Sequence, residues 1–346
     1  MYRLKAVTGA AALALSLFAT SAFSQTDLTV VTWGGNVGKE MLDAWFKPAT
    51  KDLNVHILEE SLKSPSDLLT HFASGQVNWD VVDASTDMCE RGGRAGALEE
   101  LDFNTIKTDG LPKSQVTKWS VPSTAYVMVL AYNKKKYGNN PPTDWKDFFD
   151  VKRFPGTRFF GPFVTVALEV ALLADGVAPD KLYPLDVDRA FRKLNDFKPN
   201  ITAFASSYGQ STQLINDGEA DMLFLPDNRL FAALRNGADY GYTYTQGIMN
   251  YDCMVVPKGS KNKQLAMRVI ANVVSPSINA RIVDSSGLSP SNALSITQGY
   301  VAAKNVPTLA INPTNLAKVV EQDNAWWAQN RVRLRLDERY NEFKAR

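Results

Sequence analysis

The sequence has little with which to do catalytic chemistry. Only two histidines and two cysteines occur among its 346 residues. His56 sits in a strand-like pattern and His71 in a helical one, and neither has a serine, cysteine or metal-ligand partner at a recognisable spacing. Cys89 and Cys253 alone cannot make a structural zinc site, which takes four ligands. No G-x-S-x-G, H-E-x-x-H, Walker loop or G-x-G-x-x-G occurs, and Gly34-Gly35 is only a pair. Nothing marks two carboxylates as an acid–base couple. These absences turn the reading from catalysis towards binding, with no enzyme activity, cofactor or metal expected.

Charge excess and long apolar runs are also missing. Arg3 and Lys5 precede an apolar stretch, Ala6 to Ala19, and Ala22-Phe23-Ser24 fits a small-x-small cleavage site. This reads as a secretory signal peptide cut before Gln25, giving a periplasmic protein. No later run of about 18 apolar residues could span a membrane. The 38 basic and 36 acidic residues become 36 of each once residues 1–24, with Arg3 and Lys5, are removed. A nucleic-acid partner is not expected without a basic face. The C-terminal NRVRLRLDERYNEFKAR is basic but interspersed with acids, and reads as a solvated helix face. Export to an oxidising compartment permits one disulfide, Cys89–Cys253; two buried thiols are the alternative.

What is present has the order of an α/β protein. Residues 27–33, the NVHILEE stretch and the WDVVDAS stretch read as strands, with helices over 37–49 and 65–73 between them. That order predicts a mostly parallel sheet, whose ligands sit beyond the C-terminal strand ends. Trp33-Gly34-Gly35 and Ser85-Thr86-Asp87 both lie at such ends and converge on one edge. Residues 126–133 and YDCMVVPKG are apolar strands suited to crossing between lobes. Helices are expected over 164–174, 186–197 and 263–274. Thr143 or Asp144 caps a short helix. Tyr240, Tyr242 and Tyr244 alternate along a strand face. The 322 residues left after cleavage exceed what one core usually serves, so two lobes are expected: 25–128 with 249–305, and 129–248 with 306–346.

Taken together, TVVTWGG, WDVVDAST, TDWKDFFDVKRFPGTR, LLADGVAP, INDGEADM and YDCMVVPKGSKNK resemble the periplasmic solute-binding proteins of ABC transporters, of the spermidine/putrescine type. The resemblance runs over nearly all of residues 27–300. It implies two α/β lobes of Venus-flytrap type with crossing strands, closure on a small solute, and delivery to a membrane permease and its ATPase. A monomer is expected.

Carried over by position, the family's first-strand tryptophan matches Trp33 and its serine after the third strand matches Ser85. Asp87 stands where the family has an aromatic ring. On the return strand Asp252 keeps an aspartate, while Asn250 replaces a tryptophan. Phe163 and Val166 stand where two further acids are expected, Leu288 where a tyrosine is, and Glu169 lies close by on an apolar helix. The resemblance favours a polyamine or related amine, held by stacking and by carboxylates. The alternative is a carboxylate or zwitterion held by Arg229, since a guanidinium fork suits a carboxylate. Backbone N–H groups at Gly34, Gly35 and Asn36 would then approach the solute. Two rivals remain: a secreted hydrolase on the same fold, which would need an activated nucleophile, and a sensory partner of a membrane receptor with no transport role.

Overall fold

The structure is a computed structural model that describes residues 25–62, 67–76 and 78–345. The leader, its cleavage site and the start of the helix expected from residue 65 lie outside the described residues. Among the described residues ten strands follow in chain order: β1 (Thr26–Thr32), β2 (Val55–Ser61), β3 (Val81–Ser85), β4 (Ser120–Asn133), β5 (Arg158–Phe160), β6 (Ala203–Phe204), β7 (Met222–Pro226), β8 (Tyr240–Val255), β9 (Ser289–Pro290) and β10 (Val320–Glu321). They make one sheet in the order β2-β1-β3-β8-β4-β7-β5-β6, with β9 on β4 and β10 on β8.

The flanks of this sheet are parallel, as β-α-β order requires: β1 pairs with β2 and β3, and β5 with β6 and β7. The centre is not. β4 and β8 run antiparallel to each other over most of their length, and β3 and β7 pair antiparallel with them. The sheet is therefore mixed rather than mostly parallel. The apolar segment 126–133 is the second half of a 14-residue strand, and the tyrosines at 240–244 and the segment from Tyr251 belong to one 16-residue strand. β4 and β8 pass through both halves of the molecule. Their register shifts between Met128 and Leu130. There Gly247 packs so closely on Val127 that a Cβ would come within 2.5 Å of it.

Each half has its own core. Leu28, Val30, Trp45, Phe46, Val81, Val121, Met254 and Ile270 pack together on one side, with Val31, Val82 and Cys253 across the sheet. The second half holds an aromatic cluster around Phe148, whose ring lies 5.6 Å from Phe160 and 6.0 Å from Phe224. The helix after β1 runs through Gly35–Met41, a π turn at Leu42–Phe46 and Lys47–Thr50, and buries Met41, Ala44 and Trp45. In the Asp67–Ala73 helix Leu68 is buried but Phe72 is exposed. Asp144 is the cap of the Trp145–Phe149 helix, and Thr143 donates to Asp147 instead. The Val164–Ala174 helix is broken at Thr165 and Val166, where Val166 takes φ +78°.

Two ties, one covalent and one made of hydrogen bonds and an ion pair, join distant parts. Cys89 and Cys253 are bonded, with Cα atoms 6.7 Å apart, and fix the Thr86–Arg94 helix to β8. Closing a loop of 164 residues contributes about 2–4 kcal/mol by restricting the unfolded chain. The C-terminal segment is the second tie. Gln322 and Trp327 donate to the buried Glu169 of the second half, while Arg331 reaches Asp87 of the first.

Candidate functional site

Trp33 follows β1 directly. The chain then turns through Gly34 at φ +69°, where a Cβ would lie 2.5 Å from the Ser61 hydroxyl. Ser85 ends β3, and a helix starts at Thr86. On β8, Asn250 and Asp252 point to one face because strand side chains alternate. Pairing aligns Ser85 and Thr124 with Asp252, and Tyr126 with Asn250. Strand ends and register thus collect Trp33, Ser85, Tyr126, Asn250 and Asp252.

These residues line a cavity of about 400 Å³. The other half of the molecule adds Phe163, Thr165, Val166 and Tyr208, and the start of the Asp227–Arg235 helix adds Asn228 and Arg229. Leu288, Gln322, Asn324 and Arg331 complete the wall. Six of the nine sequence-predicted ligand residues stand there: Trp33, Ser85, Asp87, Arg229, Asn250 and Asp252. Gly34, Gly35 and Asn36 do not line it. Gly34 serves the turn against Ser61, and Gly35 and Asn36 are exposed. Phe163, Val166 and Leu288, at positions where the family carries acids and a tyrosine, face the cavity with apolar side chains. Glu169 does not; its Oε1 accepts from Tyr183, Gln322 and Trp327.

The charges are unevenly placed. Burial raises Asp252 to about 7, against the lesser pull of Trp33 and Thr124; the Asp87 charge adds to the rise. Thr124 Oγ1 lies 3.5 Å from Asp252 Oδ2. Beneath it Asp83 is wholly buried and pushed well above the usual carboxylate range, by burial first and by Asp252 second. Asp87 accepts from Ser85 Oγ at 2.7 Å and from Arg331 Nη1 at 3.0 Å. Arg331 also holds Asp337 through Nε and Nη2, a two-point fork. Burial opposes its charge, but the Asp337 and Asp87 carboxylates raise its pKa overall.

Arg229 is different. Among the described residues no carboxylate forms an ion pair with it. Burial lowers its pKa, and Glu40 opposes that from a distance. Arg229 lines the cavity from the start of the Asp227–Arg235 helix and Asp252 from β8, so the two charges come from different elements.

Sequence reading missed Tyr126, Tyr208, Asp83 and Arg331. Tyr126 opens the apolar strand segment and Tyr208 follows two serines at a helix start, so both carry a weak signal. Arg331 departs from the solvated face expected of the C-terminal stretch: its side chain is only 11% exposed. No contiguous pattern could show this, because its partner Asp87 lies 244 residues away.

A two-lobed α/β architecture with a polar, aromatic-walled cavity at strand ends is that of a solute receptor. Residues 42–308 match the bacterial extracellular solute-binding protein family, and the chain belongs to it. It is a solute-binding protein and not an enzyme. It is similar to the gamma-aminobutyric acid-binding protein of Pseudomonas aeruginosa, with 29% identity over 343 residues covering 95% of this chain and 94% of that one. The spermidine/putrescine-binding periplasmic protein of Escherichia coli is 21% identical over 291 residues, 80% of this chain and 81% of its own. A crystal structure of an ABC transporter substrate-binding protein from Bradyrhizobium japonicum superposes with a TM-score of 0.87 at 36% identity, covering 92% of this chain and 99% of that one. Among the described residues no helix is long and apolar enough to cross a membrane.

Proposed function

We propose that the protein is the exported, monomeric receptor of an ABC importer and that its solute is a small zwitterion with a terminal amine and a carboxylate, of the 4-aminobutanoate type. The observation that carries this reading is a guanidinium without an ion-pair partner among the described residues, Arg229, lining the same cavity as the buried carboxyl of Asp252. The carboxylate of the solute sits on Arg229. Its ammonium sits on Asp252, with the faces of Trp33, Tyr126 and Tyr208 around the chain. Ser85, Asn228 and Asn250 supply further polar contacts. A polyamine would place a second cation near Arg229 or Arg331, which costs binding free energy. The similarity to the gamma-aminobutyric acid-binding protein supports the zwitterion over the diamine.

Solute binding draws the two halves together, since contacts from both favour the closed form only through differential affinity. The closed form then docks on a permease and its ATPase. The leader ending before Gln25 delivers the chain to the periplasm.

The test is tryptophan fluorescence of ligand-stripped protein titrated with 4-aminobutanoate and with putrescine, for the native chain, Arg229→Ala and Asp252→Asn. The zwitterion reading expects both variants to lose 4-aminobutanoate. Saturable binding of putrescine that survives Arg229→Ala, with no response to 4-aminobutanoate in any form, would restore the polyamine.

A further inference from the structure

Asp83 is a wholly buried carboxyl with one oxygen unpartnered among the described residues, and it has no assigned contact with the solute. It sits on β3, two residues before Ser85, on the same sheet face as Asp252 and diagonal to it across the β3–β8 pair. Its exposure is 0%. Oδ1 accepts from Ser123 Oγ at 2.5 Å. Ser123 is the extra residue where the β4–β8 register shifts between Pro122 and Thr124, so the bulge aims this hydroxyl at the aspartate. Oδ2 is buried and has no partner among the described residues. Trp33 Nε1 is also buried without an acceptor in hydrogen-bonded geometry, yet it lies close enough to favour the ionised forms of both Asp83 and Asp252.

We propose that Asp83 stays protonated beneath the site as a buried neutral acid that does not touch the solute, so that the Asp83–Asp252 pair offers one negative charge to one ammonium group. This rests on the reading that Asp252 receives the solute's amine. An ionised Asp83 would leave a bare, buried carboxylate oxygen beside a second carboxylate, with no cation of its own. The groups facing the pair, Trp33 after β1 among them, bring neutral hydrogen-bond donors but no free cation. Asp87, on the Thr86–Arg94 helix, is negative and already engaged by Arg331 of the C-terminal segment. β4 offers Ser123, Thr124 and Tyr126, and β8 offers Asn250, all neutral. Burial and the neighbouring carboxyl both push Asp83 towards its neutral form.

The functional consequence is selection by charge count. One ammonium finds one carboxylate. A solute with two ammonium groups close together must either leave one unmatched or ionise Asp83 at the expense of its buried neutral state. At acid pH Asp252 is itself protonated. An arriving ammonium then displaces that proton to water, and the charge on the pair is unchanged by exchange of H⁺ for R–NH₃⁺.

Infrared spectroscopy of the ligand-free protein at pH 8 tests the protonation state. The native protein should show the carbonyl stretch of a buried protonated carboxyl, shifted in D₂O. The band assigned by loss in Asp83→Asn should persist in Asp252→Asn. The same Asp83→Asn protein should bind 4-aminobutanoate with a Kd within about threefold of native between pH 6 and 8, because a neutral amide replaces a neutral acid. Absence of any band lost in Asp83→Asn, or a loss of affinity of thirtyfold or more in a variant whose circular dichroism is native, would overturn the proposal. If Asp252→Asn instead binds the solute normally, the amine assignment itself fails, whatever the infrared result.

Discussion

The two charged ends of the cavity are made in different ways. The acidic end stands on paired strands. Asp252 and Asp83 lie on β8 and β3, whose register is fixed by backbone hydrogen bonds and reinforced by the Cys89–Cys253 bond one residue from Asp252. The cationic end is borrowed. Arg229 extends from a helix start in the second half, while the other cavity arginine, Arg331 on the C-terminal segment, is committed to Asp87 and Asp337 beside the acidic end. Strands hold a short side chain in place at little entropic cost, while a long arginine reaches from further off and gives up rotamer freedom when it binds. On the proposed reading the acidic end is set before the solute arrives, and Arg229 is the group that solute binding would fix.

The comparison can be broken from the acidic side first. Asp252→Asn removes the charge that pairs with the amine, and a buried charge partner lost costs ~2–5 kcal/mol. Calorimetry should find 4-aminobutanoate binding weakened by about a hundredfold or more. Arg229→Ala comes next, with a loss of about thirtyfold for the zwitterion and little change for a simple amine. If both variants lost a simple amine equally, the two ends would not be distinct.

Acidity sharpens the contrast. Asp252 titrates at about 7 in the unliganded protein. A raised carboxyl is neutral below that value and ionised above it, so amine affinity is present at pH 8 and falls as pH drops through 7. The Kd at pH 6 should be about tenfold higher than at pH 8, with about one proton released per solute at the lower pH. Arg229 stays charged throughout, so a carboxylate without an amine should show no such slope. A flat profile for the zwitterion would remove Asp252 from the contact.

The smallest effect on binding is expected from the disulfide. Reduction should lower Tm by about 5–10 °C through the unfolded chain. The Kd at room temperature should move by less than threefold, because β3 and β8 remain paired. A large loss of affinity without a change in Tm would mean that the bond, and not the strand register, positions Asp252.

Both ends of the cavity were legible in part: Arg229 at the cationic end, and Trp33, Ser85, Asn250 and Asp252 at the acidic one. Trp33 ends an apolar strand, Ser85 ends another, and Asn250 and Asp252 alternate along a third; local period and strand-end logic suffice for these. Asp83 was hidden inside WDVVDAS because its surroundings depend on a one-residue bulge at Ser123, which leaves no mark on the local pattern. Arg331 was hidden because its fork spans Asp87 and Asp337, and only chain folding brings the first of these near. The length of β8 was missed for a related reason. Gly241 and Gly247 interrupt the strand pattern, yet each lies against a large neighbour on β4, Tyr132 and Val127, where any Cβ would collide. The break at Thr165 and Val166 turns apolar residues of an ordinary-looking helix into cavity wall. Contacts between residues far apart in sequence decide all of these.

The central claim is that one cavity recognises an amine and a carboxylate together. Calorimetric titration of ligand-stripped protein at pH 8 with 4-aminobutanoate, and with butylamine and butanoate as its two halves, tests it most directly. The account predicts that 4-aminobutanoate binds saturably and at least a hundredfold more tightly than either half, because only it engages Asp252 and Arg229 at once. Equal or tighter binding of butylamine, with no contribution from the carboxylate, would contradict it.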